Sequence, residues 1–166
     1  MRLPVLALTL LLSACATKVQ LPADTRQVFD PIAFFIGRTT GHGTYDQVLA
    51  SPRTLHVESL GRANGGGGLV LTQVIRQEGK APRTRTWVMR PVGPNRYSGT
   101  LTEAVGPVEI MTEGPRATVR YAMKDGLTVH QQLALQADGR TLLNHLEVRK
   151  WGIRVARVDE TIRKLR

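Results

Sequence analysis

From Thr39 to Lys164 the chain is cut into short segments rich in Val, Thr, Leu and aromatics, broken by Gly, Pro and Asp. Apolar residues recur at every second position, which is the period of a strand with one buried face. Val119, Tyr121 and Met123 fall on one such face, and so do Val129, Gln131, Leu133 and Leu135. Asp125-Gly126 and Asp138-Gly139 each join two alternating runs and suit two-residue hairpins. The strands read as 39–49, 53–62, 69–78, 84–91, 96–104, 107–113, 117–124, 127–136, 141–150 and 153–164. A ladder of about ten antiparallel strands must hide its edges, and closure into an up-and-down barrel is the simplest way. Val155, Val158, Ile162 and Leu165 also fit helical spacing, but Ile153 to Val158 alternates and Gly152 supplies a turn before it, so this segment reads as a strand.

One short helix precedes the strands. Asp30 can cap it, Pro31 suits its first position and Gly37 ends it. Its load, Phe34 and Phe35, reads as a hydrophobic plug closing one end of the sheet. Asn64-Gly65-Gly66-Gly67-Gly68 reads as a hairpin tip and not as a phosphate loop, since no Lys-Ser/Thr follows and Leu69-Val70-Leu71 is a strand.

The N-terminus gives an address. One charge, Arg2, precedes an apolar run from Leu3 to Leu12, which is too short to span a membrane. Leu12-Ser13-Ala14-Cys15 follows and resembles a bacterial lipobox. The resemblance implies loss of residues 1–14 as a signal peptide and a lipid on Cys15. Residues 15–28 would be the tether, with Ala16 to Gln27 reaching at most about 40 Å, and 29–166 the barrel domain. Ala16, where an Asp would retain the protein in the inner membrane, implies the periplasmic face of the outer membrane.

Cys15 is the only cysteine, which excludes an internal disulfide and a thiolate metal cage. The formal net charge is +10. That sign suits an anionic lipid or envelope surface, and nucleic acid is disfavoured by the secretory signal. Arg149, Lys150, Arg154, Arg157, Arg163, Lys164 and Arg166 crowd the last two strands, relieved only by Asp159 and Glu160. His42, His56, His130 and His145 show no metal spacing. Glu109 and Glu113 share a face with Met111, opposite Val108, Ile110 and Thr112, so both should be solvated. No metal or cofactor is indicated.

Phe34-Phe35-x-Gly37, Leu69-x-Leu71, Arg85-x-Trp87, Tyr97-x-Gly99, Val105-Gly106, Tyr121, Leu143-Asn144 and Lys150-Trp151-Gly152-Ile153-Arg154 together resemble the bacterial lipoprotein family of domain of unknown function 3833. The likeness runs from about Phe29 to Arg166 and extends to the calycin group of lipocalins, fatty-acid-binding proteins and nitrobindins. A barrel histidine is the haem ligand in nitrobindin-like proteins, and none of the four here matches it. The chain departs from the family at Gln131-Gln132 and Thr102-Glu103, where the family tends to carry acidic residues. The resemblance implies a calycin-like fold and an envelope address, with no reaction attached.

The leading expectation is a monomeric, non-enzymatic barrel holding an apolar or amphipathic ligand such as a fatty acid or lysophospholipid. Trp87, Tyr97, Tyr121 and Trp151 would form an aromatic wall, with Arg85, Glu103, Asn144 and Lys150 as polar anchors. The rivals are an enzyme acting on lipid or glycan and a structural partner of an envelope complex with a filled barrel.

Overall fold

The computed structural model describes residues 21–23 and 26–166. A short helix, α1 (Pro31–Phe35), is followed by ten strands: β1 (Gly37–Gln47), β2 (Arg53–Asn64), β3 (Gly68–Gln77), β4 (Arg83–Gly93), β5 (Arg96–Leu101), β6 (Ala104–Glu113), β7 (Arg116–Met123), β8 (Leu127–Leu135), β9 (Thr141–Lys150) and β10 (Ile153–Lys164). Each strand pairs antiparallel with its neighbours in sequence, and β1 pairs with β10 from Thr39↔Lys164 to Gln47↔Ala156. The sheet is therefore a closed barrel with no free edge, the expected up-and-down architecture. Among the described residues no helix is long and apolar enough to cross a membrane.

The ambiguous last segment is a strand. Its register shifts between Arg154 and Ala156, after which Ala156, Val158, Glu160 and Ile162 point inward and Arg157, Asp159 and Arg163 outward. The sharpest difference from the sequence reading is β5, which ends at Leu101. Thr102 folds back onto β4 instead, donating its amide to Thr86 O and accepting from Thr86 N at 2.8 Å.

Neither Asp-Gly hairpin is the expected two-residue turn. Lys124–Gly126 forms a three-residue turn. At Asp138 the loop is longer, because Gln136 and Thr141 pair and the Asp138 carboxylate accepts from the amides of Arg140 and Thr141. The two-residue turn with both residues at positive φ sits at Trp151-Gly152, between the paired Lys150 and Ile153.

One end of the barrel is plugged. Asp30 caps α1 through Ile32 N and Ala33 N, with Pro31 in the first turn. Phe29, Phe34 and Phe35 stack edge to face at 5.7 and 5.0 Å and are almost fully buried. Gly61 is required here, since a Cβ on it would lie 1.9 Å from Phe35 O.

The segment before α1 lies against the same end. Phe29 N donates to Gly114 O, Gln27 Nε2 to Ala137 O and Gln136 Nε2 to Pro22 O. Pro22 and Gln27, expected in a free tether, are thus held to the barrel. All strand pairings and the core lie within residues 29–164.

Candidate functional site

The interior changes character with depth, as β9 shows. Leu142 is sealed in the plugged half, Asn144 and Leu146 lie at mid-barrel, and Val148 and Lys150 line the open end. Above the plug, two hydrogen-bonded chains cross the interior. In one, Gln73 donates to Ser59 Oγ at 3.0 Å and accepts from Arg85 Nε at 2.8 Å and Trp87 Nε1 at 2.7 Å. In the other, Gln131 donates to Asn144 Oδ1, and Asn144 Nδ2 donates to Glu160 Oε2, both at 2.9 Å.

Above this layer opens a cavity of about 400 Å³. Its walls are apolar, from Leu55, Val57, Ile75, Val129, Leu146 and Val158. Arg85, Glu103, Asn144 and Glu160 enter it as polar groups, and Arg83 and Lys150 stand at its mouth. Its volume falls at the small end of the range for ligand pockets.

The electrostatics follow from enclosure. Burial raises the Glu160 carboxyl above the usual range, with the Asn144 hydrogen bond and the Arg85 charge pulling the other way. Burial also raises the Tyr121 phenol, against the charge of Arg85. Glu103 Oε2 in the cavity and Gln131 Oε1 in the layer beneath it are buried with no hydrogen-bond partner. A buried acceptor left unpaired costs about 1–3 kcal/mol, and such groups mark sites that a ligand or water completes.

The expected site residues separate into three places. Arg85, Glu103, Tyr121, Asn144 and Lys150 line the one cavity. Trp87 lies beneath it, edge to face with Tyr121 at 5.9 Å and with the Arg85 guanidinium 5.4 Å from its ring centre. Tyr97 and Trp151 do not join them, which splits the expected aromatic wall. Tyr97 packs on the plugged-half core, its phenol facing Asp30. Trp151 sits at the β9–β10 turn, 85% exposed, outside the cavity and under Lys150 Nζ at 5.0 Å. Cys15 lies outside the described residues.

Sequence reasoning missed Glu160, Gln73 and the paired glycines of β1. A Cβ on Gly41 would lie 1.8 Å from Glu160 Oε1, so the missing side chain is what admits the carboxylate. The alternation of β10 was the available signal for Glu160, obscured by the bulge ahead of it.

Glu109 and Glu113 point to solvent as expected. The histidines face outward. His42 and His56 meet across β1 and β2 with Nδ1 atoms 3.2 Å apart, and buried His145 is tied to Asp159 at 2.6 Å. Among the described residues no group of three side chains could hold a metal ion.

With the barrel and its cavity in place, the chain can be set beside known proteins. The model of the family described as "Protein of unknown function (DUF3833)" matches residues 9–164. The chain belongs to that family. No curated protein matches it. The DUF3833 barrel is similar in fold to an S-type phycobiliprotein lyase, CPES, from Guillardia theta, at TM-score 0.64 and 6% identity, covering 81% of this chain and 90% of that one. It is also similar to Rv2717c from M. tuberculosis, at TM-score 0.64 and 15% identity, covering 83% and 99%. At these identities the likeness shows the fold alone. This chain is thus a closed ten-stranded antiparallel barrel, a fold it shares with those two structures.

Proposed function

We propose that the open half of this barrel binds an amphipathic, lipid-like ligand without turning it over, and that a lipid on Cys15 holds the protein at the periplasmic face of an outer membrane. The observation that carries the reading is the cavity itself: apolar walls with Arg85 inside, Arg83 and Lys150 at the mouth, and a buried acceptor left unpaired on Glu103. Arg85 donates through Nε to Gln73 and brings its positive charge into the cavity, where an acidic head could meet it. A long-chain fatty acid or lysophospholipid combines such a head with a tail whose burial is worth about 0.8 kcal/mol per CH₂. The open space weighs against a purely structural partner with a filled barrel. The fold is similar to that of an S-type phycobiliprotein lyase, which suits ligand binding in general and does not separate a binder from an enzyme.

A second reading, an enzyme acting on lipid or glycan, fits the lyase named for the similar structure and is favoured by one feature of the cavity. Glu160, its carboxyl raised by burial, stands in the same cavity as Glu103.

Native mass spectrometry of protein isolated from its own cells tests the first reading. Co-purified fatty acid or lysophospholipid is the expected result, and an empty protein that binds nothing from a lipid panel would refute it. Product formed during the same incubation would select the enzyme. Anchoring is tested by metabolic fatty-acid labelling, which Cys15→Ala should abolish; equal labelling of variant and wild type would end the lipoprotein reading.

A further inference from the structure

The basic residues are not spread evenly over the barrel. Arg62, Arg90 and Arg96 stand exposed where β2, β4 and β5 meet the plugged end, and Arg140, Arg163 and Arg166 stand exposed across from them. The acidic residues of that end are Asp30, Asp138 and, beside Arg96 and Arg116, Glu109 and Glu113, fewer than the cations, and two of them are already engaged. Asp30 caps α1, and Asp138 closes its own turn through Arg140 N and Thr141 N. Among the described residues, the Arg–carboxylate ion pairs lie elsewhere, at Glu58–Arg76, at Glu147 with Arg149 and Arg154, and at Arg157 with Asp46 and Asp159.

The mouth differs. Arg149 and Arg154 are both tied to Glu147, and Lys80, Arg83 and Lys124 are interleaved with Glu78, Glu103 and Asp125. Exposed apolar side chains occur at both ends, Val28 and Val92 at the plugged end and Leu49, Trp151 and Ile153 at the mouth, so charge is what separates the two. Pro22 and Phe29, ahead of α1, are held at the plugged end too, by Gln136 and Gly114.

We propose that the plugged end docks on an anionic phospholipid bilayer, so that the mouth of the barrel faces away from that bilayer. A surplus of exposed cations around a closed base is attracted to an anionic surface, and the described residues ahead of α1 lie against the same base. The basic run of β9 and β10 is thereby divided, with Arg163 and Arg166 at the docking face and Lys150 at the far rim. A ligand entering the mouth would come from the opposite side, not from the membrane beneath. The inference stands whether or not the cavity is occupied.

The barrel from Leu21 onward, mixed with vesicles of equal phosphatidylglycerol and phosphatidylcholine, tests it. Sedimentation with these vesicles and not with phosphatidylcholine alone is expected. Combined Arg62→Glu, Arg90→Glu and Arg96→Glu should weaken the association about tenfold or more. Combined Lys80→Glu, Arg83→Glu and Lys124→Glu should weaken it far less. Orientation is read by brominated acyl chains, which should leave Trp151 emission unquenched and should quench a tryptophan placed by Val92→Trp. No association with either vesicle, equal losses in the two charge-reversed sets, or quenching of Trp151 would each overturn the proposal.

Discussion

The two halves of the barrel interior are built by the same strands and have opposite properties. In the plugged half, Leu69, Val108 and Leu142 are fully sealed and the phenylalanines of the α1 region close the end. In the open half the walls stay apolar, yet the floor is a hydrogen-bonded polar layer and about 400 Å³ is unfilled. Side-chain size makes the difference. Where β1 should supply inward side chains it supplies Gly41 and Gly43; the Glu160 carboxylate takes the room at Gly41, and the β10 backbone at Asp159 and Glu160 takes it at Gly43. Stability is thus concentrated at one end, and the other is left free to carry chemistry that a packed core would exclude.

The comparison breaks most visibly at Phe34. Phe34→Ala removes the centre of the stacked plug and should cost about 3–5 kcal/mol, read from the denaturant midpoint. Leu146→Ala, in the cavity wall, should cost nearer 2 kcal/mol, the low end for such truncations, because one side of Leu146 already borders open space. Equal losses at the two sites would mean that the open half is packed as tightly as the plug.

A smaller effect sharpens the comparison electrostatically. Glu160 has its carboxyl raised by burial, so the folded protein holds that proton more tightly than the unfolded chain does. Its contribution is fully present below the ordinary Glu range and is lost as pH rises through the raised value. Glu160→Gln should remove that loss, so that thermal stability falls less for the variant than for the wild type between about pH 4 and pH 8. An unchanged pH profile would place Glu160 in contact with bulk water.

Much of the barrel was legible in the sequence, because a strand with one buried face writes its period directly into the residue order. The bounds of β9 and β10 were read as they stand, and the inward face of Val129, Gln131, Leu133 and Leu135 was correct. Turn lengths were less legible, since Asp138 binds its own backbone and lengthens the loop that Asp-Gly alone would make tight. The site was half legible. Arg85, Asn144 and Lys150 converge because their alternation was right. Trp151 does not, because a residue in a two-residue turn projects past the rim whatever its chemistry. Glu160 was hidden by a bulge that shifts the register of β10. Tyr97 faces inward, but depth along the barrel is set by strand stagger, which one strand's pattern does not carry.

The central claim is that the unfilled half of the barrel is where the ligand sits, and filling it is the direct test. Val148 lines the cavity and is only partly buried, so Val148→Trp should place an indole in open space. The account predicts a melting temperature at or above that of the wild type, together with fatty-acid affinity weakened by about tenfold or more, since a tail excluded from even a few CH₂ positions loses that much. Unchanged affinity in a stably folded Val148→Trp protein would contradict it.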